Sequence, residues 1–129
     1  VDLGVADSLV WHGSIYGEER FAYLRYADVV LLTSHYECNS NAAAETLGVG
    51  GMLLGTETCH LNEVKAVGGA LVVRREIAAV TEKLSSILED RAEQERVRGA
   101  ARQFAENQLD LQQTARTMLN FYEQLLDCK

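Results

Sequence analysis

The sequence predicts an α/β domain of three layers, α/β/α, with a parallel sheet of about four strands between helices and further helices at the C-terminal end. Three observations predict it. Residues 29–32 (VVLL), 52–54 (MLL) and 70–73 (ALVV) are short apolar runs. They are too short for helices and lack the polar alternation of a one-faced strand, the pattern of strands buried on both faces of a parallel sheet. Between and after these runs, apolar residues recur at helical spacing. Glycines and small polar residues separate the segments, as turns require.

The chain has 129 residues, one domain's length and enough to bury a core. Nearly half of it is hydrophobic and a quarter charged, an ordinary globular composition. A net charge of −7 argues against a nucleic-acid polymer as partner, because phosphate backbones are bound by clustered Lys and Arg. No apolar run approaches the roughly 20 residues of a membrane span, and none reads as a signal peptide. Cys38, Cys59 and Cys128 are odd in number and widely spaced, which points to free thiols in a reducing cytoplasm. The chain starts at Val1, and its first ten residues read as a helix tail entering a strand. It is therefore expected to be part of a longer protein.

In chain order, residues 8–12 (SLVWH) read as a first strand closed by Gly13, and residues 17–27 as a helix with Phe21 and Leu24 facing inward. Tyr16, Tyr23 and Tyr26 are read as helix packing in preference to an aromatic platform. The run 29–32 is the second strand, followed by a helix through Leu47 that stops at Gly48, Gly50 and Gly51. The run 52–54 is the third strand, ending at Gly55. A loop over 56–62 leads to a short helix with Glu63 near its start, and Gly68 and Gly69 turn the chain into the fourth strand, 70–73. Three helices follow. Their stripes, read as core, are Ile77, Val80, Leu84, Ile87 and Leu88; then Val97, Ala101, Phe104 and Ala105; then Leu111, Ala115, Met118, Leu119, Tyr122 and Leu126, with Asp110 as the cap of the last.

The organising stretch is 28–45, DVVLLTSHYECNSNAAAE. A buried strand gives way to a turn at Asn39, Ser40 and Asn41. Asn41 then caps a helix that starts with Ala42, Ala43, Ala44 and Glu45. Strand, loop and helix start in this order make an anion site, because the first helical amides are unpaired and the dipole favours a phosphate. Glu37 and Glu45 flank it. Their spacing carries nothing, since about a tenth of the chain is Glu and one such pair is expected by chance. Their placement does: both can face the crevice at the carboxyl end of the strand, where open parallel sheets bind ligands. The plain alternative is a pair of solvated surface acids.

The segment ECNSNAAAETLGVGG resembles the signature of retaining glycosyltransferases of the GT-B fold, family four in particular, which have a Glu, seven residues and a second Glu. A common variant, E-G-x-S-N-x-x-x-E, is matched by Glu37, Ser40, Asn41 and Glu45. The likeness runs from about Leu3 to Leu126, through the segments on either side. It implies a Rossmann-like domain, the C-terminal donor-binding part of a two-domain enzyme, residues 1–129 being one nucleotide-sugar-binding unit without its N-terminal domain. The activity implied is transfer of a glycosyl (hexosyl-like) group, with retention, from a nucleotide diphosphate sugar in glycan biosynthesis. Glu37 would bind the donor sugar at the catalytic centre and Glu45 the ribose hydroxyls. Gly13, Ser14 and Ile15 would lie along the base. Backbone amides over Cys38 to Ala43, with Cys38, Asn39, Ser40, Asn41 and Ala42 as site residues, would stabilise charge on the leaving diphosphate. The implied partners are the nucleotide sugar, a glycan or lipid-linked acceptor and the protein's own N-terminal domain. No cofactor or metal is implied, and the setting is cytoplasmic, with room for peripheral association at the membrane face. The fragment alone would be inactive.

The chain departs from the family in three ways. Cys38 stands where Gly is usual, Cys59-His60 where a Gly-Gly pair is usual, and the proline common at positions 42, 52 and 62 is absent throughout. The first two motivate a second reading, a non-catalytic nucleotide-sugar-binding or scaffolding domain. Other rivals are weaker. His35, Cys38, Cys59 and His60 are zinc-binding residue types in neighbouring loops, but no pair has close Cys-x-x-Cys spacing. A hydrolytic carboxylate pair fits poorly with acids that bracket a helix start. An unrelated doubly wound domain, such as half of a nucleotide-sugar epimerase, shares the fold without the signature.

Overall fold

The computed structural model describes residues 3–127. Val1 and Cys128 therefore lie outside the described residues. After one 3-10 turn (Ala6–Ser8) the chain forms α1 (Gly17–Tyr26), β1 (Val30–Leu32), α2 (Asn41–Gly48), β2 (Leu53–Thr56), a second 3-10 turn (Glu57–Cys59), α3 (Asn62–Ala66) and β3 (Leu71–Val73). Three helices close it: α4 (Ile77–Glu89), α5 (Arg91–Gln108) and α6 (Leu111–Asp127).

The sheet is parallel throughout, in the order β1-β2-β3, with Val30 beside Leu53 and Leu54 beside Leu71. Successive residues of a strand point to opposite faces, so β2 divides the core. Leu53 packs on one face with Ala43, Leu47, Val64, Ala101 and Ala105, which come from α2, α3 and α5. Leu54 packs on the other with Leu71, Ile87 and Val97, flanked by Val80 and Leu84 of α4. Helices thus cover both faces, as the three-layer reading requires. Only the central strand is buried along its whole length.

Several expectations change. Residues 8–12 form no strand. Leu9 is extended, yet the stretch joins no ladder among the described residues, and Trp11 is 96% exposed. A strand persists only where its amides and carbonyls find a neighbour, so the sheet has three strands. β1 is not covered on both faces: Leu31 is 47% exposed, because β1 is an edge strand and α4, the helix on that face, packs against β3. Phe21 and Leu24 are half-buried as expected, but Tyr16 and Tyr26 are exposed instead of packed, and Tyr23, 42% exposed, meets His12 and not the core. On α4, Val80, Leu84 and Ile87 face the core, whereas Ile77 and Leu88 do not.

The stripe of α6 is not core. Leu111, Met118, Leu119, Tyr122 and Leu126 are all exposed, together with Phe121 and Leu125. Periodicity reports which face of a helix is apolar, not what covers it. The cap at its start is as expected: Asp110 Oδ1 accepts from the amides of Gln112 and Gln113 at 2.7 and 3.1 Å.

Arg98 of α5 carries a tie that no pattern announced. Its guanidinium donates to the carbonyls of Ala27 at 2.8 Å and Asp28 at 3.0 Å, with longer contacts to Arg25 and Gly50. It satisfies carbonyls at the end of α1 and fixes the entry into β1.

Candidate functional site

The site is built at the carboxyl end of β1, where the chain passes through 33–40 into α2. Ser40, not Asn41, is the N-cap: its Oγ accepts from the amide of Ala43 at 3.4 Å, and Asn41 is the first helical residue. Both are good capping residues. Ser40 takes the position because its extended backbone lets its hydroxyl reach the third helical amide. Ala44 bonds to the Ser40 carbonyl at 3.0 Å. The amides of Asn41 and Ala42, ahead of that turn, have no partner among the described residues. They are the donors a helix start offers to an anion.

Glu37 is fixed at three points. Ser34 Oγ donates to its Oε1 at 2.7 Å, its amide donates to the Thr58 carbonyl at 3.2 Å, and its carbonyl lies 2.6 Å from His60 Nδ1. Since a carbonyl only accepts, Nδ1 carries the proton. Glu45 lies on the α1 side of α2, with Arg20 Nη2 2.9 Å from its Oε1; the side chains are 27% and 40% exposed. Such a partly exposed pair is worth little in stability, but it orients the carboxylate. Arg20 also lies over the ring of Phe21, 4.9 Å from the centroid, and its Nε is buried without a partner among the described residues. Each acid is therefore held through one oxygen, and the second oxygen of each accepts nothing from the described residues.

A hollow of about 330 Å³ opens at the start of α2. Cys38, Asn39 and Ser40 line one side, His60, Asn62 and Glu63 the other, with Leu47, Val64 and Phe104 as apolar lining. Glu37 and Glu45 do not line it. Glu45 lines a separate hollow beside Glu106 and Asp110. Glu37 is tied to the loop after β2 and Glu45 to α1, and the two acids do not share one of these two hollows. Ala42 is exposed on the first turn.

Gly13, Ser14 and Ile15 lie in the irregular segment before α1. Gly13 has φ +69, a left-handed conformation glycine adopts without strain, and open space surrounds the position a Cβ would take. Ile15 is half-buried. The segment is tied to α1 by Tyr23, whose hydroxyl lies 3.3 Å from His12 Nδ1 with the rings edge-on at 5.0 Å.

Two of the four zinc-type residues are engaged elsewhere. Cys59 is buried and its thiol donates to the Leu32 carbonyl at 3.2 Å, His60 is bonded to Glu37, and Cys38 is an exposed free thiol. No group of three or more His, Cys, Asp or Glu among the described residues is arranged to hold a metal ion. The cation and histidine ties at Arg20 and His60 had no sequence signal, because both are contacts between segments far apart in the chain.

A parallel sheet between helices, with a capped helix start at the carboxyl end of a strand, defines a Rossmann-like domain. Within that class the chain belongs to the glycosyl transferase-like family, whose profile matches residues 4–120. Its fold is similar to that of sucrose-phosphate synthase from Thermosynechococcus elongatus, with a TM-score of 0.87 and 21% sequence identity over 98% of this chain and 32% of that one. The chain thus spans about a third of the length of that synthase. No curated protein matches it. Among the described residues, no helix is long and apolar enough to cross a membrane.

Proposed function

We propose that the chain is the donor-binding half of a retaining glycosyltransferase, holding a nucleotide diphosphate sugar whose glycosyl group passes to a glycan or lipid-linked acceptor bound with an N-terminal domain. The observation that carries the reading is the start of α2, whose first two amides are unbonded among the described residues, with Glu37 in the loop before it and Glu45 one turn into it, each carboxylate with an oxygen to spare. An ionised carboxylate is an acceptor-only group, so one oxygen can stay with Arg20 or Ser34 while the other takes a hydroxyl. Glu45 then receives the ribose hydroxyls and Glu37 those of the sugar. The amides of Asn41 and Ala42 take up charge on the leaving diphosphate, the electrostatic contribution that grows as the bond breaks. Gly13, Ser14 and Ile15 lie along the base. The donor is substrate, and no cofactor is called for.

A calorimetric titration of UDP-, GDP- and ADP-glucose against the full-length protein tests this. One of them binds, and Glu45→Ala weakens that binding by about tenfold, the size expected for a lost charge-assisted hydrogen bond. Equal affinity in the variant removes Glu45 from the site. A second reading, a domain that binds the donor without turnover, is favoured by Cys38 and His60, which place side chains in the hollow where the resembling family keeps glycine. Binding without turnover of radiolabelled donor by the full-length protein selects it.

A further inference from the structure

His60 is in the left-handed region, φ 53 and ψ 41, the one non-glycine residue with positive φ among the described residues. Side chains with a Cβ pay about 1–2 kcal/mol there, and such strain persists only where surrounding contacts enforce it. Here the enforcing contacts all lead to one place. His60 Nδ1 is 2.6 Å from the carbonyl oxygen of Glu37, its ring stands edge-on to Tyr36 at 5.3 Å, and two residues before it the Thr58 carbonyl accepts the Glu37 amide. Thr58 in turn donates its hydroxyl to the Ser34 carbonyl at 2.7 Å, and Ser34 is the residue whose Oγ holds the Glu37 carboxylate. The loop after β2 therefore grips Glu37 and its hydrogen-bond partner together.

We propose that His60 is a positioning residue for Glu37: its left-handed backbone aims a protonated Nδ1 at the Glu37 carbonyl, which fixes the loop and thereby the carboxylate. That Glu37 acts in catalysis rests on the proposed function; the tie itself does not. Glycine at position 60 adopts the backbone without strain but cannot donate. Asparagine tolerates the left-handed region and places an amide nitrogen where Nδ1 stands. The two variants therefore separate the strain from the bond.

The test uses the full-length protein, with UDP-, GDP- or ADP-glucose as donor, whichever the unmodified protein turns over. His60→Gly leaves the thermal midpoint within about 2 °C, because relief of strain offsets the lost bond. It lowers kcat at least about tenfold with KM changed less than about threefold, the split expected when only transition-state alignment is lost. His60→Asn restores kcat to within about threefold of the unmodified protein. Nitrogen-15 NMR of the histidine rings, which needs no turnover, shows His60 as the Nδ1–H tautomer in the unmodified protein. An unchanged kcat in His60→Gly, no recovery in His60→Asn, or an Nε2–H tautomer overturns the proposal. Absence of turnover with all three donors counts against the proposed function, and the tautomer then decides the tie alone.

Discussion

Glu37→Ala in the full-length protein is expected to lower kcat by about 10²- to 10³-fold, with KM for the nucleotide sugar changed by less than about threefold. On the proposed reading, Glu37 meets the sugar where positive charge develops as the glycosidic bond to the diphosphate breaks. An ionised carboxylate there gains interaction as the reaction proceeds, so its loss raises the barrier more than it weakens binding. Pre-organisation makes the effect large. The amide, carbonyl and one carboxylate oxygen of Glu37 are each already bonded, so little reorganisation remains at the moment of reaction. Steady-state kinetics of the purified variant read the result. A raised KM at unchanged kcat would mean that Glu37 contributes equally to ground-state and transition-state binding, and would move it out of the catalytic role.

The second large effect concerns stability. Gly51→Ala is expected to cost about 2–3 kcal/mol, at the upper end for forcing an atom into a packed interior. A Cβ at Gly51 would lie 2.5 Å from the Leu24 carbonyl oxygen, 2.8 Å from Thr46 Cγ2 and 3.0 Å from the Thr46 carbonyl. Two of these three are backbone atoms of α1 and α2, which cannot swing aside. Relief requires α1 to move from α2, and that is the contact across which Arg20 meets Glu45. Against a total stability of about 5–15 kcal/mol the loss is severe. Urea denaturation reads it as a lower midpoint at unchanged slope. Gly99→Ala is the control: open space surrounds it inside α5, so the exchange should stabilise by about 0.5–1 kcal/mol.

What was legible in the sequence was what is local. The runs at 29–32, 52–54 and 70–73 became β1, β2 and β3 because consecutive apolar residues suit a strand buried in a parallel sheet. The Asp110 cap and the helix after Ser40 likewise follow from neighbouring residues. Beyond that range legibility fails in identifiable ways. The Asn41 cap slipped by one residue because Ser40 and Asn41 are chemically alike and only backbone conformation chooses. The expected strand at 8–12 and the expected core face of α6 are apolar by pattern, but the strand finds no ladder partner among the described residues and the α6 face stays largely exposed. The ties from Arg20 to Glu45, His60 to Glu37 and Arg98 to Ala27 join residues 23 or more apart in sequence, so no window of sequence contains both partners. Glu37 and Glu45 are paired only by the resemblance, and their ties to different elements, Glu37 to the loop after β2 and Glu45 to α1, had no local signal.

The most direct test is a crystal structure of the full-length protein with its nucleotide sugar bound. Diphosphate oxygens are expected within hydrogen-bond distance of the Asn41 and Ala42 amides, with a ribose hydroxyl on Glu45 and a sugar hydroxyl on Glu37. A diphosphate seated away from the start of α2, with Glu45 touching Arg20 alone, would contradict this placement.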